Sequence, residues 1–100
     1  MRVAALVDDL MDRSRLSAAI ADLTFTRDPQ DCAGADVVVV DLARHAFAVT
    51  SVRAVAPDAR IVAFGPHVED AALARAKVDG ADLVIARSAF FRDPASAVTG

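Results

Sequence analysis

Three aspartates stand where a carboxylate could do chemistry. Asp41 follows four consecutive valines, Val37 to Val40, and the pair Asp8 and Asp9 follows the apolar run 3–7. Continuous apolar runs of this length, bounded by turn formers such as Gly34, read as strands buried on both faces, which belong in the middle of parallel sheets. In an open α/β sheet, ligands gather outside the carboxyl ends of the strands, where strand order reverses. An acid at such an exit can serve as a nucleophile or as an oxygen ligand for a hard cation. Asp41 is the first candidate.

Other reactive side chains carry less. Cys32 is the only cysteine, which excludes an internal disulfide and fits a reducing compartment. Neither His45 nor His67 stands at metal-ligand spacing with it, and both read as ordinary loop residues. Phe90 and Phe91 are adjacent rings that cannot both enter one core, so one is expected to pack inward and the other to face a partner.

The elements that must position these residues follow from spacing. After the first strand, Leu16, Ala19, Ile20 and Leu23 fall at i, i+3, i+4 and i+7, the stripe of an amphipathic helix that Asp9 or Asp12 can cap. Residues 24–26 read as a short second strand. Asp28-Pro29 then signals a turn, and 30–34 leaves room for one helical turn at most, so a full second crossover helix is absent. Beyond the central strand, 46–56 forms a helix with Ala48, Val49, Val52 and Val55 on one face, ended by Pro57. Ile61 to Phe64 is the fourth strand, broken by Gly65-Pro66. A helix is expected over 69–78, with Glu69 and Asp70 in its first turn, Arg75 and Lys77 in its last, and Gly80 at its carboxyl cap. Residues 82–86 form the fifth strand, leading to Arg87, and Asp93-Pro94 starts a last short helix. Five strands alternating with helices imply an α/β parallel sheet in a single domain over 1–100.

Composition narrows the function classes. The chain of 100 residues is 55% hydrophobic and 25% charged, which fits one compact core and excludes disorder. A net charge of −3 without a basic run, and few aromatic residues, exclude the usual nucleic-acid surface. No signal-peptide core and no run of eighteen apolar residues is present, so the protein reads as cytoplasmic, with no membrane partner.

Val7-Asp8-Asp9, Val40-Asp41 and Gly80-Ala81-Asp82 together make the chain resemble a response-regulator receiver domain, the phosphate-accepting module of bacterial two-component signalling. The resemblance implies a flavodoxin-like, doubly wound sheet in the order 2-1-3-4-5, with the second helix reduced and the last helix short. That order would bring Asp8, Asp9 and Asp41 into one pocket. It implies Asp41 as the phosphoacceptor of a phosphorelay and Asp8, Asp9 and Asp41 as ligands of Mg²⁺. Crowded carboxylates repel, so a proton or a cation must join them.

Departures from the family pattern are as informative. Gly65 stands where a switch serine or threonine is usual, and Pro66 offers no backbone N–H to a phosphoryl oxygen. Arg87-Ser88 replaces a lysine-proline pair, a planar fork in place of a compact ammonium. Arg87 is expected to pair with the acid cluster. The reading is therefore a degenerate, pseudo-receiver signalling domain, not an enzyme, acting through protein partners such as a sensor kinase or output protein. The alternatives are a functional Mg²⁺-dependent phosphoacceptor and a small-ligand-binding flavodoxin-like domain. With few helices to cover the sheet, a homodimer is expected on the strand-five side, through Arg75, Val84, Phe90 and Phe91.

Overall fold

The computed structural model describes residues 1–68 and 70–100. Five strands, β1 (Val3–Leu6), β2 (Leu23–Phe25), β3 (Val37–Asp41), β4 (Arg60–Gly65) and β5 (Leu83–Ala86), form one sheet in the order β2-β1-β3-β4-β5. Every neighbouring pair is parallel, with Leu6 beside Val40 and Asp41 beside Phe64. The expected flavodoxin-like order is thus present. The valine run of β3 is buried throughout, as a central strand covered on both faces requires.

Among the described residues there are six helices: α1 (Leu10–Ala19), α2 (Leu42–His45), α3 (Ala48–Val55), α4 (Asp70–Val78), α5 (Arg87–Arg92) and α6 (Pro94–Thr99). In place of a helix between β2 and β3 stands a 3₁₀ turn, Pro29–Cys32, capped by the Asp28 carboxylate on the Gln30 N–H. Cys32 in this turn is wholly buried, and burial pushes its thiol up to about 11, so it is an inert packing residue. The expected first turn at Glu69 lies outside the described residues. At the other end of α4, Gly80 adopts φ 117° and lets the Ala81 N–H reach back to the Ala76 carbonyl at 3.0 Å, the wrapped-back carboxyl cap that favours glycine.

Alternate residues of the strands feed two cores. Ala4, Leu6, Val38, Val40, Ile61 and Ala63 face α3 and α4, where Val49, Val52 and Ala76 meet them. Val3, Ala5, Val7, Val37, Val39, Val62 and Phe64 face the other way, onto Leu16 of α1 and Ile20 just after it, and onto Phe90, Phe91, Ala97 and Val98 of the tail. This second core overturns two expectations. The tail is not an inadequate cover, because α5 and α6 fold back across the sheet and Arg60 holds the Ala97 carbonyl through two N–H bonds of 3.2 Å. Nor do Phe90 and Phe91 diverge, since they are 0% and 8% exposed. Phe90 stacks on Phe64 at 4.7 Å, and Phe91 sets its ring at 80° to both others, so adjacent rings enter one core by packing edge to face.

Two of the residues expected at a strand-five interface, Phe90 and Phe91, are therefore taken up by the core of the chain itself. Val84 packs on the α4 side of the sheet and the two phenylalanines on the opposite side. Arg75 pairs with Asp79 one turn along α4 at 2.9 Å. These four residues do not form one apolar patch. Phe90→Ala is expected to cost about 3–5 kcal/mol in urea unfolding, and Phe91→Asp to leave the chain unfolded. A folded Phe91→Asp protein with an unchanged midpoint would return that ring to the surface.

Candidate functional site

The carboxyl ends of β1 and β3 lie side by side, as the sheet order requires, and their acids follow. Each acid has its own local work. Asp9 is the amino cap of α1 and accepts the Asp12 N–H at 3.0 Å. Asp8 lies 3.1 Å from Nε2 of His45 and 3.7 Å from the Arg27 guanidinium. The His45 contact holds the Asp8 carboxyl below the usual carboxylate range, against a smaller opposing effect of burial. His45, which the sequence left without a partner, therefore closes the site from α2.

Asp41 ends β3 and at once caps α2, accepting the Ala43 N–H at 3.0 Å. It is 4% exposed. Burial pushes its pKa up, opposed by the Ala43 N–H and by the charge of Arg87. Its side chain is nearly enclosed, and Oδ1 is engaged by the Ala43 N–H.

Arg87, the first residue of α5, turns to a different acid from those expected. Its Nη1 donates to Asp12 Oδ2 at 2.8 Å, and its Nη2 donates to Asp12 Oδ1, a bidentate fork. Asp12 is 2% exposed. The charge of Asp12 first, then those of Asp41 and Asp9, favour the protonated guanidinium. The expectation that Arg87 pairs directly with Asp8, Asp9 or Asp41 is thus corrected: the fork lies above Phe64 and Phe91, with the guanidinium carbon 5.9 and 4.9 Å from their centroids, and aims it at α1. Asp12, which the sequence offered only as a helix cap, is the acid that Arg87 holds. It lies four residues before Leu16 and eight before Ile20, on the inward stripe of the helix, and a charge on a buried stripe demands a partner.

The end of β4 is apolar in its surroundings. A Cβ at Gly65 would meet the Leu42 Cβ at 3.4 Å and the Leu73 Cδ2 at 3.5 Å. There is room for a small side chain, but its neighbours are leucines. Pro66 follows, half-buried and without an N–H.

A comparison of structures aligns 98% of the chain with a response regulator protein from Burkholderia pseudomallei, solved with a phosphorylated aspartic acid, a calcium ion and citrate, at a TM-score of 0.76 and 18% identity. The fold is that of a response-regulator receiver. The chain covers 66% of that protein's length. No family model matches the sequence, and no curated protein does.

The calcium ion in that structure raises the question of a metal. Among the described residues no three His, Cys, Asp or Glu side chains converge in a way that could hold one. Asp9 and Asp41 are occupied by backbone N–H groups, Asp8 faces two basic side chains, and the Arg87 charge stands beside them. The carboxylates as arranged do not fit a divalent cation.

Two outcomes follow from these charges. Arg87→Ala would strand the buried Asp12 carboxylate. Complete burial of such a pair would make the loss 3–5 kcal/mol, and the partial exposure of Arg87 reduces it to about 2 kcal/mol in denaturant unfolding. For Asp41, a folded-state pKa raised above the ordinary 3.8 means that folding favours the protonated acid. Its destabilising effect is absent below that value and grows as pH rises through the folded pKa. Asp41→Asn keeps the cap, and is therefore expected to raise the melting temperature at pH 7, with the gain fading towards pH 3. A lower melting temperature at pH 7 would contradict the burial assigned to Asp41.

Proposed function

We propose that the chain is a receiver-like signalling domain that works by protein contact in the cytoplasm, and that Asp41 is a degenerate phosphoacceptor. It acts as a binding module and not as an enzyme. The observation that carries this reading is the state of Asp41, 4% exposed with its carboxylate capping α2. A phosphoryl acceptor needs a free oxygen, a hydroxyl or N–H to hold the incoming group, and a cation to neutralise it. Gly65 and Pro66 supply neither hydroxyl nor N–H, and Arg87 is committed to Asp12.

Protein contact is supported by what surrounds the acids. Leu10 and Met11 after β1, Phe47 after β3 and Val68 after β4 are each more than three-quarters exposed. All follow the carboxyl ends of strands. Large apolar side chains gathered at the rim of a site are a feature of surfaces that meet other proteins. No helix among the described residues is long and apolar enough to cross a membrane.

The test is incubation with Mg²⁺ and acetyl phosphate, followed by intact mass measurement. The expected result is no stoichiometric phosphorylation. Full addition of one phosphoryl group, abolished by Asp41→Asn, would make the chain a working Mg²⁺-dependent response regulator and overturn the degenerate reading.

A further inference from the structure

The outer side of Phe91 is roofed by two guanidinium groups, with the Arg15 carbon 4.5 Å and the Arg87 carbon 4.9 Å from its centroid. With Ser88 and Arg92 these residues line a groove between α1 and α5 of about 470 Å³. That volume lies within the roughly 300–1,000 Å³ of small-molecule sites.

The charge of the groove runs against that of the chain, whose net charge is −3. Most basic side chains are already used. Arg27, Arg53, Arg75 and Arg87 have carboxylate partners, while Arg2, Arg13, Arg60 and Lys77 donate to backbone carbonyls. Among the described residues, Arg15, Arg44 and Arg92 have no acceptor in the protein, and two of these three line this one groove. Asp12 neutralises Arg87 from beneath. Asp93, next in the chain to Arg92, turns to the Ser96 N–H at the start of α6. Asp41 and Asp9 add their charges on the Arg87 side, so the positive charge left facing the groove is that of Arg15 and Arg92, which have no carboxylate partner among the described residues.

Arginine forks match phosphate oxygens in two parallel N–H bonds, and the exposed Ser88 hydroxyl can donate a further one. A bare phosphate would not fill the volume. We propose that this groove binds a phosphorylated small molecule of nucleotide size, its phosphates held by Arg15 and Arg92. Asp8, Asp9, Asp41 and Gly65 do not line it, so the proposal stands apart from the fate of Asp41.

Calorimetric titration at low salt tests it, with ADP and pyrophosphate as probes and adenosine as the uncharged control. ADP is expected to bind with a Kd of about 100 µM or tighter, more weakly as salt rises, and adenosine not at all. The Arg15→Gln, Arg92→Gln double variant should bind ADP at least about tenfold more weakly, and Asp41→Asn should bind as the parent does. If loss of the Arg15 roof unfolds the double variant, Arg92→Gln alone, at an exposed side chain, must still weaken binding. Absence of heat with both phosphate probes at about 1 mM, equal binding of adenosine, or unchanged affinity in the arginine variants would overturn the proposal.

Discussion

The fork between Arg87 and Asp12 is the contact on which the upper half of the molecule depends. The two residues are 75 positions apart and belong to elements that leave β5 and β1, strands separated in the sheet by β3 and β4. A carboxylate buried to 2% exposure is tolerable only with such a partner. Once the fork is made, it fixes α1 relative to α5, places a guanidinium above Phe64 and Phe91, and lets the tail close one face of the sheet. It also removes the basic side chain from direct service to Asp41. One ion pair thereby joins the packing of the tail to the charge balance beside the acids.

The opposite end of the sheet uses the same device. Arg53 of α3 donates to the Gly80 carbonyl and to Asp82, while Asp82 accepts the Ile61 N–H at 2.8 Å, tying the starts of β4 and β5 to a helix. The Gly80-Ala81-Asp82 entry to β5 is therefore a structural joint. The sheet is pinned at both ends by arginine and aspartate, and the apolar strands between need only pack. Near Gly65, Leu42 and Leu73 lie at ordinary contact distance from the strand end.

Much of the architecture was legible because it rests on periodicity. Continuous valines in β3 and the breakers Pro57, Gly65 and Gly80 are local signals, and each marks a real boundary, whereas the expected stripe of α1 holds within the helix only at Leu16, because the helix stops at Ala19, which is exposed, and Leu23 already belongs to β2. What escaped reading was long-range partnership. Asp12 looked like a capping residue because its spacing from Asp9 suits a cap, yet Asp9 is the cap and Asp12 is on the buried stripe. Phe90 and Phe91 looked divergent because two adjacent rings were not expected to enter one core, but Phe64 offers a ring that both can meet from different angles. His45 looked idle until β3 and β1 were placed together. Arg15 and Arg92 carried no signal at all, since their shared groove exists only after the tail has folded back.

The arrangement of the tail also bears on how the protein is made. Phe90, Phe91, Ala97 and Val98 finish the core that Val3, Ala5 and Val7 begin. A ribosome releases β1 first and α6 many residues later, so the α1 face of the nascent sheet stays greasy and open until residues 87–99 have emerged. During that interval the half-covered sheet is a substrate for chaperones and for other nascent chains. This face of the fold can close only once residues 87–99 are available to it.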